Sequence, residues 1–432
     1  MKTDHSIIKP TFVLRLVIIS FLFFSNVSVF ANSKERTGME LMPRGGLPNF
    51  FAKAQKGDSV RVAYLGGSIT AQAGWRVYSL DWMQAKFPQA KFKEIYAAIG
   101  GTGSNFGVFR LHEQVLQYHP DLLFVEFAVN DSNTDTETII RAMEGIVRQT
   151  WEASPLTDIC FVYTIKEDFL ETETKGELPL SARAMEEVAD NYGVPSINFG
   201  FEVASQVNGG KLIFANKESK EVNGIPVFCP DGVHPYIETG HRIYNTILSR
   251  SLEALQGRDK TKATKHKLPG PINPGYFSDT KMLAFTKGEL SANWEIITVN
   301  EDERFKAFGG FLDYIGRACS TGETLIVHFK GKAVGVFDVM GPDAGKVAVE
   351  IDGVPGDTIP RFDRFCTYRR MHFIVVDKLE DTEHTVIFKT IATPFDKQNI
   401  LTRKEDFEQH PEKYNENCWH IGKILLDGEL IK

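Results

Sequence analysis

The sequence predicts an α/β domain built on a parallel sheet, followed by an all-β domain. From about Ser59 to Leu255, short β-rich runs alternate with helical patterns, as strand-helix-strand crossovers require. Beyond Pro274 the helical period stops, and β-branched residues cluster between turn signals. Length agrees with this division, because 432 residues exceed what one hydrophobic core usually organises. A 42% hydrophobic and 24% charged composition is that of a globular chain.

The strands expected in the first part are Val60–Leu65, Lys93–Ala97, Leu122–Ala128, Ile159–Ile165 and Pro195–Phe199. Between and after them, Ile139, Met143, Ile146, Val147 and Trp151, and again Gly240, Tyr244, Ile247, Leu248, Ser251 and Leu255, fall on single helical faces. Five strands in this setting suit a flavodoxin-like three-layer sandwich with a five-stranded parallel sheet, spanning 32–256. Residues 257–275 are rich in Lys, Gly, Pro and Thr without an apolar period and read as a linker. The runs Thr324–Phe329, Ala333–Val339, Lys346–Ile351, Met371–Asp377 and His384–Lys389 then predict a β-sandwich or jelly roll over 276–432.

Residues 1–31 carry Lys2, Lys9 and Arg15, then the apolar run Leu16 to Phe24 and a small-residue ending at Ala31. This is the pattern of a cleaved secretory signal peptide, so an exported protein, periplasmic or secreted, is expected, with no stable membrane anchor after cleavage. Losing Lys2, Lys9, Arg15 and Asp4 takes the net charge from −7 to −9. Such a balance gives no electrostatic footprint for nucleic acid. Export permits one or two bridges among Cys160, Cys229, Cys319, Cys366 and Cys418, and an odd count leaves at least one thiol over. Cys160, inside Ile159-Cys160-Phe161-Val162, reads as a buried small hydrophobe.

Three strand ends carry residues suited to nucleophilic catalysis. Gly66-Gly67-Ser68-Ile69-Thr70 follows the strand Val60–Leu65, so Ser68 sits where the backbone leaves the carboxyl end of a parallel strand. Val129-Asn130-Asp131 ends the next apolar run; the Asn130 amide suits donation to a developing negative charge, or an Asx-turn. The sequon Asn130-Asp131-Ser132 is discounted because a strand end is a poor acceptor loop. In Asp231-Gly232-Val233-His234-Pro235, Asp231 can reach the imidazole Nδ1 and leave Nε2 free for a serine proton. Pro235 is expected to open the first turn of the following helix; the alternative is a surface Asx/Pro turn.

In this chain order, Ser, Asn, Asp-x-x-His, the blocks resemble the SGNH (GDSL-like) hydrolases, in particular exported carbohydrate-esterase-like members with a C-terminal β-domain. The resemblance covers residues 45 to 255 and adds the glycine block Ile99-Gly100-Gly101-Thr102-Gly103. It implies a nucleophile at Ser68, a base at His234 oriented by Asp231, and an oxyanion hole from the Ser68 N–H, the Gly101 N–H and the Asn130 side chain, with Gly100 in place of Gly101 if the register shifts by one. It implies no metal and no cofactor. The activity implied is removal of O-acetyl or other short acyl groups from a polysaccharide or oligosaccharide; a lipase or thioesterase acting on longer chains, or a catalytically idle carbohydrate-binding protein, are the alternatives. Two positions depart from the family pattern: Gly67 stands where the signature has Asp, and Ala128 where the asparagine block begins with Gly.

Other motifs are set aside. Gly341-Pro342-Asp343-Ala344-Gly345-Lys346-Val347 is one residue short of a phosphate loop and reads as a hairpin turn. His112-Glu113 has Leu116 where a zincin needs its second His. His410, Cys418 and His420 read as packing residues rather than metal ligands. Trp294, Trp419 and Tyr314 are either sugar platforms or core aromatics.

Overall fold

A computed structural model describes residues 38–258 and 263–431, so the expected signal peptide lies outside the described residues. The α/β sheet contains β1 (Leu41–Met42), β2 (Ser59–Gly66), β3 (Lys91–Ala98), β4 (Leu122–Glu126), β5 (Asp158–Tyr163) and β6 (Ser196–Asn198), in the order β1-β6-β5-β4-β2-β3. The strands β2 to β6 are parallel, as expected. The sixth, β1, adds an antiparallel edge through Leu41 opposite Ile197, and two residues are too few to show a period.

Successive β2 side chains point to opposite faces. Ala63 and Leu65 enter one core with Phe106, Phe109, Met143, Val147 and Met185; Val60, Val62 and Tyr64 enter the other with Phe50, Trp75, Tyr244 and Leu248. Helices therefore cover both faces: Ser104–Gln114, Thr136–Ala153 and Leu180–Tyr192 on one side, Pro48–Gln55, Trp75–Lys86, Gly200–Asn208 and Gly240–Arg258 on the other. Asp135 caps the helix Thr136–Ala153 by accepting from the Thr138 N–H at 2.9 Å, and the helix buries the apolar face read from its sequence. The chain steps outward from β2 to β3 and then back across to β4, so the sheet reverses winding between β2 and β4. The crevice beyond the carboxyl ends of strands at such a point is the usual ligand site.

The strand pairings of the C-terminal part are antiparallel: Glu295–Thr298, Tyr314–Ala318, Trp419–Leu430, Thr324–Met340, Thr382–Ile391, Lys346–Ile351 and Val354–Pro360 are successive neighbours. Two runs expected as separate strands are one, Thr324–Met340, which pairs with Thr382–Ile391 up to Gly331 and with Arg370–Val376 from Val334. Gly331 marks the change because a Cβ there would lie 2.2 Å from the Asp427 carbonyl oxygen. The segment 341–345 is not a hairpin: Lys346–Ile351 pairs with Val354–Pro360 and Thr382–Ile391, never with Thr324–Met340. Asp343, held by Arg369 at 2.6 and 2.8 Å, and the Gly345 N–H, bonded to the Cys418 carbonyl at 2.8 Å, instead carry the chain across to another strand.

Cys319 and Cys418 form a disulfide, while Cys160, Cys229 and Cys366 are buried free thiols. With its sulfur in the bridge and Asp343 engaged by Arg369, the Cys418/His420 group has no free ligand set. Trp419 is a core residue against Trp294, 5.9 Å between centroids, whereas Tyr314 is exposed.

The two parts share one hydrophobic core. The Phe106 ring stacks on Phe373 at 5.0 Å and lies 4.9 Å from Phe337, and Thr280 donates to the Val108 carbonyl at 2.8 Å. Between them the segment 263–275 is pinned to the α/β layer. Glu144 accepts from the Ile272 and Asn273 N–H groups at 2.6 and 2.9 Å, and His266 stacks on Trp151 while reaching Asp158 at 2.7 Å. Among the described residues no helix is long and apolar enough to cross a membrane.

Candidate active site

Ser68 is the first residue of a short helical turn, Ser68–Ala71, that begins two residues after the end of β2. As at any helix start, its own N–H has no partner within the turn. His234, far away in sequence, brings Nε2 to 2.8 Å from the Ser68 Oγ. Its Nδ1 lies 2.8 Å from Asp231 Oδ2. Facing a carboxylate, Nδ1 carries the ring proton, which leaves Nε2 as an acceptor for the serine hydroxyl.

Asp231 has two tasks at once. Its Oδ1 accepts from the Val233 and His234 N–H groups at 3.0 and 2.8 Å, an Asx-turn, while Oδ2 orients the imidazole. Partial burial pushes this carboxyl up, but the bonds from His234 and Val233 outweigh it and hold it below the ordinary aspartate range, so it stays ionised. Gly232 between them adopts a left-handed backbone, φ 81°, and gives the Glu167 N–H its carbonyl at 2.8 Å. Pro235 does not open a helix; the next one begins at Gly240. Tyr236 holds the intervening loop instead, its N–H on the Phe228 carbonyl at 2.8 Å and its hydroxyl on the Asn216 carbonyl at 2.9 Å.

The other two blocks converge on the same point. A Cβ on Gly67 would lie 2.0 Å from Asn130 Oδ1, so Asn130 sits directly against the turn bearing Ser68. That contact accounts for the missing aspartate: any side chain at 67 would displace Asn130. The Asn130 side chain has no hydrogen-bond partner among the described residues, which leaves its amide free to donate. On the far side Asp131 Oδ1 accepts from the Ser104 N–H at 3.0 Å and lies where a Cβ on Gly103 would be, at 2.1 Å. Gly100 comes next to Ser68, its notional Cβ 3.5 Å from the serine Cβ, and Gly101 is exposed in a left-handed conformation, φ 73°.

His241 is a residue that the sequence reading passed over, because its spacing fits a core face. It is fully buried; Nδ1 accepts from the Trp75 N–H at 3.1 Å, so Nε2 is the protonated nitrogen and donates to Gln72 Oε1 at 3.1 Å. Gln72 in turn donates to the Pro235 carbonyl at 3.3 Å. Burial first, then electrostatic coupling to His234 and Arg76, pushes this imidazole down to about 3, so it is a neutral strut behind the His234 loop.

Residues 64–236 match the model of the GDSL-like Lipase/Acylhydrolase family. No curated protein matches the sequence. Two solved structures are alike over almost the whole chain. A two-domain esterase (CEX) active on acetylated mannans has a TM-score of 0.69 at 19% identity, covering 90% of this chain and 97% of its own. The same kind of esterase co-crystallised with mannopentaose gives 0.68 at 18%, covering 91% and 97%. At such identity the likeness is one of fold, both domains included.

Proposed function

With residues 64–236 belonging to the GDSL-like Lipase/Acylhydrolase family, we propose that the chain is a serine esterase that removes O-acetyl groups from a polysaccharide or oligosaccharide through an acyl-enzyme intermediate. The observation that carries this is the unbroken relay from Asp231 through both nitrogens of His234 to the Ser68 hydroxyl. The substrate class is carried over from the two-domain esterase active on acetylated mannans, whose architecture this chain shares at both domains.

Ser68 Oγ attacks the ester carbonyl as Nε2 of His234 takes its proton, and Asp231 stabilises the imidazolium. The carbonyl oxygen becomes an oxyanion held by the Ser68 N–H, a glycine N–H from Gly101 or Gly100, and the Asn130 amide. His234 then returns the proton to the departing sugar oxygen as the ester C–O bond breaks. Water, deprotonated by the same imidazole, attacks the acyl-serine; the acyl C–Oγ bond breaks, the imidazole returns the proton to Ser68 Oγ, and acetate leaves. The relay requires neither metal nor cofactor for these steps. The apolar leader at 1–31 supports an exported enzyme meeting its glycan outside the cytoplasm.

The test is acetate release from a panel of acetylated plant polysaccharides, with aryl esters of increasing acyl length alongside. The proposal expects release from at least one glycan and rates highest for acetyl. Rates that climb from acetyl to octanoyl would make the protein a lipase or thioesterase instead.

A further inference from the structure

The apolar run Leu122 to Ala128 is interrupted by one acid, Glu126, the last residue of β4, and the mechanism above gives it no task. It is fully buried and has no cationic partner among the described residues. A buried, unpaired carboxylate is costly unless donors surround it. Two hydroxyls do so in part, Thr70 on Oε2 and Thr164 on Oε1, each at 2.7 Å, and the backbone N–H groups of Gly67 and Thr70 also favour the charged form, but burial outweighs them and pushes the carboxyl above the ordinary glutamate range. Thr70 belongs to the turn that presents Ser68. The first N–H groups of a helical turn have no partners of their own, so a polar group bonded beneath the turn helps to fix its direction.

The same turn is held from the opposite face of the sheet. Arg110, also fully buried, donates to the Gly66 carbonyl at 3.0 Å and to the Ala97 carbonyl, joining the ends of β2 and β3. The strand end is thus fixed through the Gly66 carbonyl by Arg110, and the turn after it through the Thr70 hydroxyl by the Glu126 carboxyl. Ser68, one residue beyond Gly67, is left with an unengaged N–H and an Oγ in line with His234.

We propose that Glu126 is a positioning residue for catalysis: its carboxyl, through Thr70, orients the Gly67–Thr70 turn so that the Ser68 N–H and Oγ address one carbonyl. It touches neither substrate nor reacting atoms, and it acts only through the turn. The inference rests on Ser68 being the nucleophile.

Two variants break the arrangement from its two ends. Glu126→Gln keeps the shape of the side chain but turns an amide N–H₂ toward a donor, and Thr70→Val removes the hydroxyl bond to Oε2 isosterically. Thr157→Val is the control, deleting one buried 2.7 Å bond, to the Pro120 carbonyl, at the other end of the sheet. On an acetyl aryl ester, kcat is expected to fall at least tenfold in Glu126→Gln and in Thr70→Val with KM within twofold, and phosphonylation of Ser68 by a fluorophosphonate to slow in parallel. Thr157→Val is expected to lose as much thermal stability as Thr70→Val while keeping kcat within twofold. A Thr70→Val protein with unchanged kcat and phosphonylation rate, or a kcat loss in Thr157→Val that matches its loss of stability, overturns the positioning role. If Ser68→Ala retains hydrolysis, it is the nucleophile assignment that has failed, and the outcome is separable because no variant at 126 or 70 is then needed.

Discussion

A neutral, buried His241 links folding stability to pH in a way that one substitution isolates. Its folded pKa lies near 3 against an ordinary 6.5, so between those values the unfolded chain binds a proton that the folded one refuses. The stabilising contribution is complete above the unfolded value and is lost as pH falls from about 6.5 toward 3. Linkage gives a loss of about 2 kcal/mol between pH 7.5 and pH 5, nearly independent of how far below 5 the folded value lies. His241→Asn keeps an acceptor for the Trp75 N–H but has nothing to titrate. Urea unfolding of both proteins at the two pH values is the assay, with carboxylates elsewhere cancelling in the comparison. The wild type should lose about 2 kcal/mol more than the variant. Parallel losses in the two proteins would refute the neutral strut and with it the tautomer assigned to the Gln72 relay.

Other outcomes follow from the same contacts. Gly67→Asp, which installs the acid of the family signature, should displace Asn130, whose Oδ1 lies 2.0 Å from where the new Cβ would stand, and lower kcat by roughly 10² or more, the usual effect of losing one oxyanion donor; steady-state kinetics checks it. Reducing the Cys319–Cys418 bridge, whose sequence separation is 99, should lower the unfolding free energy by about 4–5 kcal/mol, read by denaturation with and without a phosphine reductant. The same treatment should leave the acetyl esterase rate of still-folded protein unchanged, because neither cysteine contacts the Ser68 relay.

What the sequence made legible were positions where backbone geometry restricts residue type. Gly67 and Gly103 are required because Asn130 and Asp131 occupy the space a Cβ would need, and such constraints leave visible blocks at strand ends. The helices Thr136–Ala153 and Gly240–Arg258 were equally plain, since each buries a single face. Features that depend on contacts between distant segments were not. The bridge between residues 319 and 418 has no local signature, and β1 is too short for one. Pro235 looked like a helix start because Pro favours that position, but the Tyr236 contacts postpone the helix to Gly240. Gly331 joins two apparent strands into one through a close backbone approach that only the partner strand reveals. Glu126 did leave a trace, a lone acid in an apolar run, and such an interruption is the signal to seek donors around it.

Hydrolysis depends on the Ser68 hydroxyl, 2.8 Å from the imidazole of His234, being the group that reacts. Hydrolysis of a simple acetyl aryl ester by purified wild type and by Ser68→Ala, both verified as folded, measures this directly. Turnover by the wild type and a fall of several orders of magnitude in the variant are expected. Equal rates in the two proteins, or none in either, would contradict it.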